Sequence, residues 1–316
     1  MAGVFLDVDS LDRNDLGLQT IKDTLPNWHF YNSTTPAQVS ERIESAKVII
    51  TNKVVINREH LKKAPDLELI CVAATGTNNV DIQAARTSGI AVCNVTGYAT
   101  PSVVQHVFTL ILNLTTNIHQ YQSAVQSGQW HKSEQFCLLS YPISEVAGKK
   151  LGIIGYGTLG KAVADVANSF GMDVLISARP GTDPSDTRVS LEQLLIESDI
   201  ISIHSPLTDN TRNLISGREL AIMKSDALLI NTARGGIVNE KTLAEALLSG
   251  TIGGAGIDVL SQEPPIADNP LLNNDIPNLI VTPHIAWASK ESRQRLVNEI
   301  AKNINAWKAG QPRNVV

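Results

Sequence analysis

Four segments of the sequence carry residues whose types and spacing can do chemistry. Leu151-Gly-Ile-Ile-Gly155-Tyr156-Gly157-Thr158-Leu159-Gly160-Lys-Ala-Val-Ala places three glycines in the order G-x-G-x-x-G, directly after an apolar run and before a helix-compatible one. In that setting Gly155 permits a tight turn, Gly157 lets backbone approach a pyrophosphate, and Gly160 lets a helix lie close against a strand. The helix N-terminus then faces the negative charge. Further along, Asn231-Thr232-Ala233-Arg234-Gly-Gly, Asp258-Val-Leu-Ser-Gln-Glu263-Pro-Pro and Thr282-Pro-His284-Ile-Ala-Trp each set an ionisable residue just past an apolar run. Ligands of open parallel sheets bind beyond the carboxyl ends of the strands, so Arg234, Glu263 and His284 are placed to converge on one small bound molecule. Taken singly, each has an ordinary structural alternative: an arginine capping carbonyls, a glutamate in a solvated turn, a packed histidine.

The run that follows the glycine loop, Gly171-Met-Asp173-Val-Leu-Ile-Ser177-Ala178-Arg179, bears on which dinucleotide the loop takes. A site selective for NAD carries a carboxylate at the end of this strand to accept from the ribose hydroxyls. Here Asp173 stands at the wrong end, whereas Ser177 and Arg179 offer a hydroxyl and a guanidinium to a 2′-phosphate. The sequence therefore favours NADP(H), with NAD(H) as the alternative if Arg179 is only a solvated charge.

The positioning elements are legible as an alternation. Short runs rich in Val and Ile (Val4–Asp7, Val48–Thr51, Leu69–Ala73, Ala91–Val95, Leu151–Ile154, Val174–Ser177, Ile200–Ile203, Ala227–Asn231, Gly254–Asp258 and Leu279–Thr282) recur between helix-like segments. Fully apolar short strands separated by helices predict an α/β fold with parallel sheets covered on both faces. Ser216 with Glu219 reads as a capping box, and Asn239 opens a helix that Gly250 stops. The longest helix is predicted from Pro101 to about Ser127, crossing between domains.

The chain has 316 residues, a net charge of −5 and 43% hydrophobic residues, which suggests two globular domains at about 150 residues each. It carries no basic block, and this argues against nucleic acid and anionic membrane as partners. Asp7 and Asp9 occupy the stretch where a secretory signal needs a basic start, so no signal peptide is expected. No apolar stretch approaches the ~20 residues that span a bilayer. Cys71, Cys93 and Cys137 have no ligand spacing, predicting no metal site and a reducing compartment, the cytoplasm.

The glycine loop, Asn-Thr-Ala-Arg-Gly, Gly-Ile-Asp-Val with Glu-Pro, and Thr-Pro-His-Ile stand in an order that resembles the D-isomer-specific 2-hydroxyacid dehydrogenases over nearly the whole length. Thr51-Asn-Lys53, Thr75-Gly76-Thr77-Asn-Asn, Gly97-Tyr-Ala-Thr-Pro-Ser and His284-Ile-Ala-Trp-Ala-Ser resemble its glycerate dehydrogenase or hydroxypyruvate reductase branch. The resemblance implies a Rossmann nucleotide-binding domain (100–284) inserted into a smaller flavodoxin-like substrate domain (1–99 with 285–316), and a cleft closed by hinge motion. It implies reduction of a small 2-keto acid, hydroxypyruvate or glyoxylate. D-lactate, 3-phosphoglycerate or a non-enzymatic coenzyme-sensing role are the alternatives.

Carried over by resemblance, Arg234, Glu263 and His284 are the catalytic residues. Hydride delivered to a carbonyl carbon leaves charge on oxygen, which needs a donor titrating near neutrality, and His284 suits this with an ordinary pKa of about 6.5. Glu263 would fix its tautomer and favour the protonated ring, while Arg234 would orient substrate carboxylate and carbonyl. Thr75 and Gly76 resemble the loop that binds substrate carboxylate, with Lys53 adding charge. Pro206, Thr232, Ala233 and Asp258 resemble positions lining the coenzyme, Asp258 against the carboxamide or, structurally, as a turn cap. His106 and His204 are assigned no chemistry. Relatives pair through the segment from Pro101 to about Tyr141, implying a homodimer.

Overall fold

A computed structural model of the chain describes residues 2–179, 184, 185 and 187–316. Each predicted apolar run forms a strand, and all pairings between strands of the described residues are parallel. The first sheet contains β1 (Ala2–Phe5), β2 (Asn27–Phe30), β3 (Val48–Thr51), β4 (Leu69–Val72) and β5 (Ala91–Cys93), in the order β2-β1-β3-β4-β5. The second contains β6 (Lys150–Ile154), β7 (Asp173–Ile176), β8 (Ile200–Ile203), β9 (Leu228–Asn231), β10 (Gly254–Ile257) and β11 (Leu279–Val281), in the order β11-β10-β9-β8-β6-β7. The chain divides into two compact units, Met1–Ala99 with Trp287–Val316, and Thr100–Ala286.

In the first unit the period-2 alternation of the strands feeds two cores. Phe5, Ile50, Leu69 and Cys71 join one, together with Leu296, Val297, Ile300 and Ile304 of the helix Lys290–Lys308. Val4, Ile49, Ile70 and Val72 join the other, against Val39, Ile43 and Leu61. Burial on both faces is why these strands read as unbroken apolar runs. Strand β2 lacks that signature because it is an edge strand whose residues alternate between exposed and half-buried. It is held instead by Trp28, whose ring lies where a Cβ on Gly3 would come within 2.6 Å of it.

In the second unit one face of the sheet packs Ile203, Leu229, Ala255 and Ile257 against Leu220, Leu243 and Leu247. The stretch predicted as one helix from Pro101 to Ser127 is two helices, Thr100–Thr116 and Ile118–Gln126. Asn117 breaks it by adopting a left-handed φ of 51°, and its side-chain amide donates to the Pro142 carbonyl at 2.7 Å. Both helices belong to the second unit, and the longest helix is Lys290–Lys308. Among the described residues no helix is long and apolar enough to cross a membrane.

Candidate active site

The glycine loop joins β6 to the helix Thr158–Ser169, and each glycine answers a different steric demand. Gly155 has φ +97°, and a Cβ on it would stand 2.6 Å from the His204 carbonyl carbon. A Cβ on Gly160 would stand 2.1 Å from the Gly155 carbonyl oxygen, so only glycine lets helix and loop touch. Gly157, in contrast, faces open space and caps the helix without any side-chain hydrogen bond. The first N–H groups of this helix are thus presented beside an uncrowded backbone, the arrangement that receives a phosphate. Tyr156 and Leu159 are half-buried and Thr158 is exposed.

At the end of β7, Ser177 is buried and its hydroxyl donates to the Ala178 carbonyl at 2.8 Å, while Arg179 is exposed. Asp173 opens the same strand at its far end. Past β8 come His204, Ser205 and Pro206. The His204 Nε2 lies 2.9 Å from Ser202 Oγ, and burial pulls its pKa down to about 4. Past β9, the Thr232 hydroxyl is buried. Among the described residues neither Thr232 Oγ1 nor His204 Nδ1 has a hydrogen-bond partner. Buried polar atoms are rarely left so, and these two stand at the carboxyl ends of neighbouring strands, where a dinucleotide adds its own polar groups.

Asn231 organises the next segment from both its amide atoms. Its Oδ1 accepts from Ala233 N at 3.0 Å and its Nδ2 donates to the Arg234 carbonyl at 3.0 Å. Arg234 is exposed, its Nη1 donating to the Ala233 carbonyl at 2.7 Å. Gly235 passes so close to the neighbouring loop that a Cβ there would lie 1.9 Å from the Leu260 carbonyl oxygen.

Asp258 is fully buried and clamps the segment after β11. Its Oδ1 accepts from Thr282 Oγ1 at 2.5 Å and from Ile285 N at 2.9 Å, and its Oδ2 from Ala286 N at 2.9 Å. Its carbonyl accepts from His284 N at 2.8 Å. His106 joins this cluster, its Nε2 2.9 Å from Thr282 Oγ1. His284 itself has φ +55°, a conformation that costs a non-glycine residue about 1–2 kcal/mol and that the clamp sustains. Its Nδ1 lies 2.5 Å from Glu263 Oε2, and Glu263 Oε1 accepts from Leu260 N at 3.0 Å. Glu263 therefore holds its own loop with one oxygen and the imidazole with the other.

The remaining expected residues lie in the first unit. Thr75 Oγ1 donates to the Val95 carbonyl at 2.9 Å, and the Thr75 carbonyl accepts from Asn94 Nδ2 at 2.7 Å, holding the Thr75–Gly76 loop past β4. Lys53 is exposed past β3, and its backbone N–H donates to Asp7 Oδ2 at 2.7 Å. Burial pushes the Asp7 carboxyl above its ordinary range, against the opposing pull of the N–H groups of Asn52, Lys53 and Val54. Asp7 and Asn231 did not emerge from the sequence as site residues. The signal available for each was a polar side chain ending an apolar run.

Residues 108–286 match the family model described as D-isomer specific 2-hydroxyacid dehydrogenase, NAD binding domain. The chain belongs to that family. Among its dehydrogenase relatives, a glycerate dehydrogenase of Methylorubrum extorquens is 48% identical, over 99% of this chain and 98% of its own. A hydroxypyruvate reductase of Blautia hydrogenotrophica is 37% identical over 99% and 98%. The crystal structure of the TT0316 protein from Thermus thermophilus superposes with a TM-score of 0.88 at 32% identity, covering 100% of both chains. As a member of the 2-hydroxyacid dehydrogenase family the protein is an oxidoreductase that uses a nicotinamide coenzyme, and the uncrowded glycine loop and the two orphaned polar atoms fit that group.

Proposed function

We propose that the protein reduces hydroxypyruvate or glyoxylate to D-glycerate or glycolate, with NADPH preferred over NADH. The observation that carries this reading is the 2.5 Å pair between Glu263 Oε2 and His284 Nδ1, on loops leaving the same sheet edge as the glycine loop. The bound coenzyme supplies the hydride. With Nδ1 engaged by a carboxylate, the tautomer is fixed and Nε2 is the nitrogen that gives its proton to the carbonyl oxygen as charge develops there. Glu263 holds the ring in the orientation that this step requires. Arg234 takes the substrate carboxylate and carbonyl in charge-assisted hydrogen bonds and orients the carbon for attack. On the same reading Lys53 and the Thr75–Gly76 loop serve the substrate carboxylate, and Trp287–Val316 belongs with residues 1–99 to the substrate domain. The M. extorquens and B. hydrogenotrophica names support the choice of substrates.

For the coenzyme, Gly155–Gly160 would hold the pyrophosphate, Ser177 and Arg179 a 2′-phosphate, and Pro206, Thr232, Ala233 and Asp258 the nicotinamide end. The lack of a carboxylate between Val174 and Arg179 supports NADPH. A homodimer is supported by exposed apolar side chains concentrated between residues 118 and 143, among them Trp130, Phe136 and Leu139, the last two 90% and 80% exposed. Buried thiols at Cys71 and Cys93, the latter pushed by burial up to about 11, suit a reducing cytoplasm. The test is the oxidation of NADPH and of NADH with a panel of 2-keto acids, followed spectrophotometrically. Higher kcat/KM with NADPH and with hydroxypyruvate or glyoxylate is expected, and absence of turnover with every small keto acid overturns the proposal.

A further inference from the structure

The geometry points to Glu240 as the residue that positions the Glu263–His284 pair, an inference that rests on the acid–base reading above. Glu263 lies on a loop that leaves β10 and ends at the short 3-10 turn Pro270–Leu272. A loop of that length is soft unless its two legs are tied. One side chain ties both. Glu240 Oε1 accepts from Ser261 N at 2.5 Å, on the outgoing leg two residues before Glu263, and Oε2 accepts from Asn269 Nδ2 at 2.7 Å on the returning leg. Asn269 is itself buried and fixed, its Oδ1 accepting from Leu271 N at 3.0 Å and its N–H donating to the Ile266 carbonyl.

Glu240 is well held to do this. It is the first residue of the helix Glu240–Leu248, where the helix dipole favours a carboxylate, and Asn239 caps that helix by accepting from Thr242 N at 3.1 Å. The same stretch of chain begins at Arg234, so the strap also fixes the spacing between the Arg234 segment and the Glu263 loop, which already touch where Gly235 meets Leu260. Glu240 is 21 and 29 residues from the groups it bonds. It takes no proton and touches no reacting atom. Its effect reaches the chemistry through Glu263 Oε2 and its 2.5 Å approach to His284.

Glu240→Gln keeps size and shape but leaves one acceptor oxygen for two donors and turns an N–H2 against the second. We expect kcat for hydroxypyruvate reduction to fall about 10- to 100-fold, as a misplacement of up to ~1 Å in a catalytic group does, with the coenzyme dissociation constant within about twofold of wild type. The KM for hydroxypyruvate should stay within about twofold of wild type, because Glu240 touches no bound group and its loss falls on the chemical step. Against a Glu263→Gln background, Glu240→Gln should lower kcat no further. Asn269→Ala, which cuts only the returning leg, should lower kcat by less, and it supplies the reading if Glu240→Gln does not fold. Wild-type kcat in Glu240→Gln, or an equal loss with and without Glu263, overturns the inference alone. A Glu263→Gln enzyme with wild-type kcat overturns the acid–base reading and this inference with it.

Discussion

Gly235→Ala tests how closely the Arg234 segment is fitted to the Glu263 loop. The new methyl would lie 1.9 Å from the Leu260 carbonyl oxygen, 2.0 Å from the carbon and 2.4 Å from Ser261 N. All three are backbone atoms, so no rotamer change relieves the overlap. Non-bonded contacts are comfortable at about 3.5 Å, so the two segments must part by roughly 1.5 Å. Leu260 N–H donates to Glu263 Oε1 and Ser261 N–H to Glu240, which means the displacement is passed to the carboxylate paired with His284. An error of ~1 Å at a catalytic group costs on the order of 10²-fold in rate. Overpacking of this kind costs about 1–3 kcal/mol of stability, a loss of several degrees in Tm for a chain of this size. Initial rates at saturating keto acid and NADPH, with a thermal melt, read both effects. Gly217→Ala is the matched control, because its nearest neighbour would be a Thr242 methyl carbon 3.9 Å away. Wild-type kcat and Tm in Gly235→Ala would refute the argument, since they would show that the Leu260 loop yields without disturbing Glu263.

Three further outcomes are expected. His284→Asn keeps a residue that tolerates the left-handed backbone but removes the proton donor, so kcat should fall about 10²- to 10⁴-fold while coenzyme titration stays near wild type. Retention of turnover would remove His284 from the mechanism. Arg179→Glu should lower kcat/KM for NADPH and spare NADH, and an unchanged ratio in side-by-side kinetics would discard the 2′-phosphate role. His204, pulled down to about 4 in the folded protein, stays neutral there while an unfolded chain takes up a proton near 6.5. Its contribution is therefore lost as pH falls from about 6.5 toward 4, and Tm measured across that window should decline less steeply in His204→Gln than in wild type.

What could be read in advance followed from how local each signal is. The strands buried on both faces announce themselves as apolar runs, and the Ser216–Glu219 capping box and the Asn239 cap appear as the residues foretell. Edge strand β2 was invisible because Asn27–Phe30 is half solvated and depends on Trp28 covering Gly3, a contact across strands. The break at Asn117 was hidden for a similar reason: the apolar spacing continues past it, and the partner that stabilises the turn is the distant Pro142 carbonyl. In the site, the glycine loop and the ionisable residues after β9, β10 and β11 were legible as types at strand ends. Their supports were not. Asn231 and Asp7 each end an apolar run, and their bonds to Ala233 and Arg234 and to Asn52 and Lys53 exist only in the fold, as does the grip of Asp258 on Ile285 and Ala286.

The closing helix Lys290–Lys308 has a consequence for how the protein is made. Synthesis delivers β1 to β5 well before Leu296, Val297, Ile300 and Ile304, which cover one face of that sheet. At about 5–20 residues per second, the ribosome needs roughly 10–40 s to deliver the intervening chain. During that interval Phe5, Ile50 and Leu69 have no permanent cover, whereas Thr100–Ala286 emerges as one uninterrupted stretch. The nascent chain is thus open to chaperones and to aggregation along the sheet β1 to β5. Synthesis arrested before Lys290 would leave that sheet without its covering helix while Thr100–Ala286 is already delivered whole.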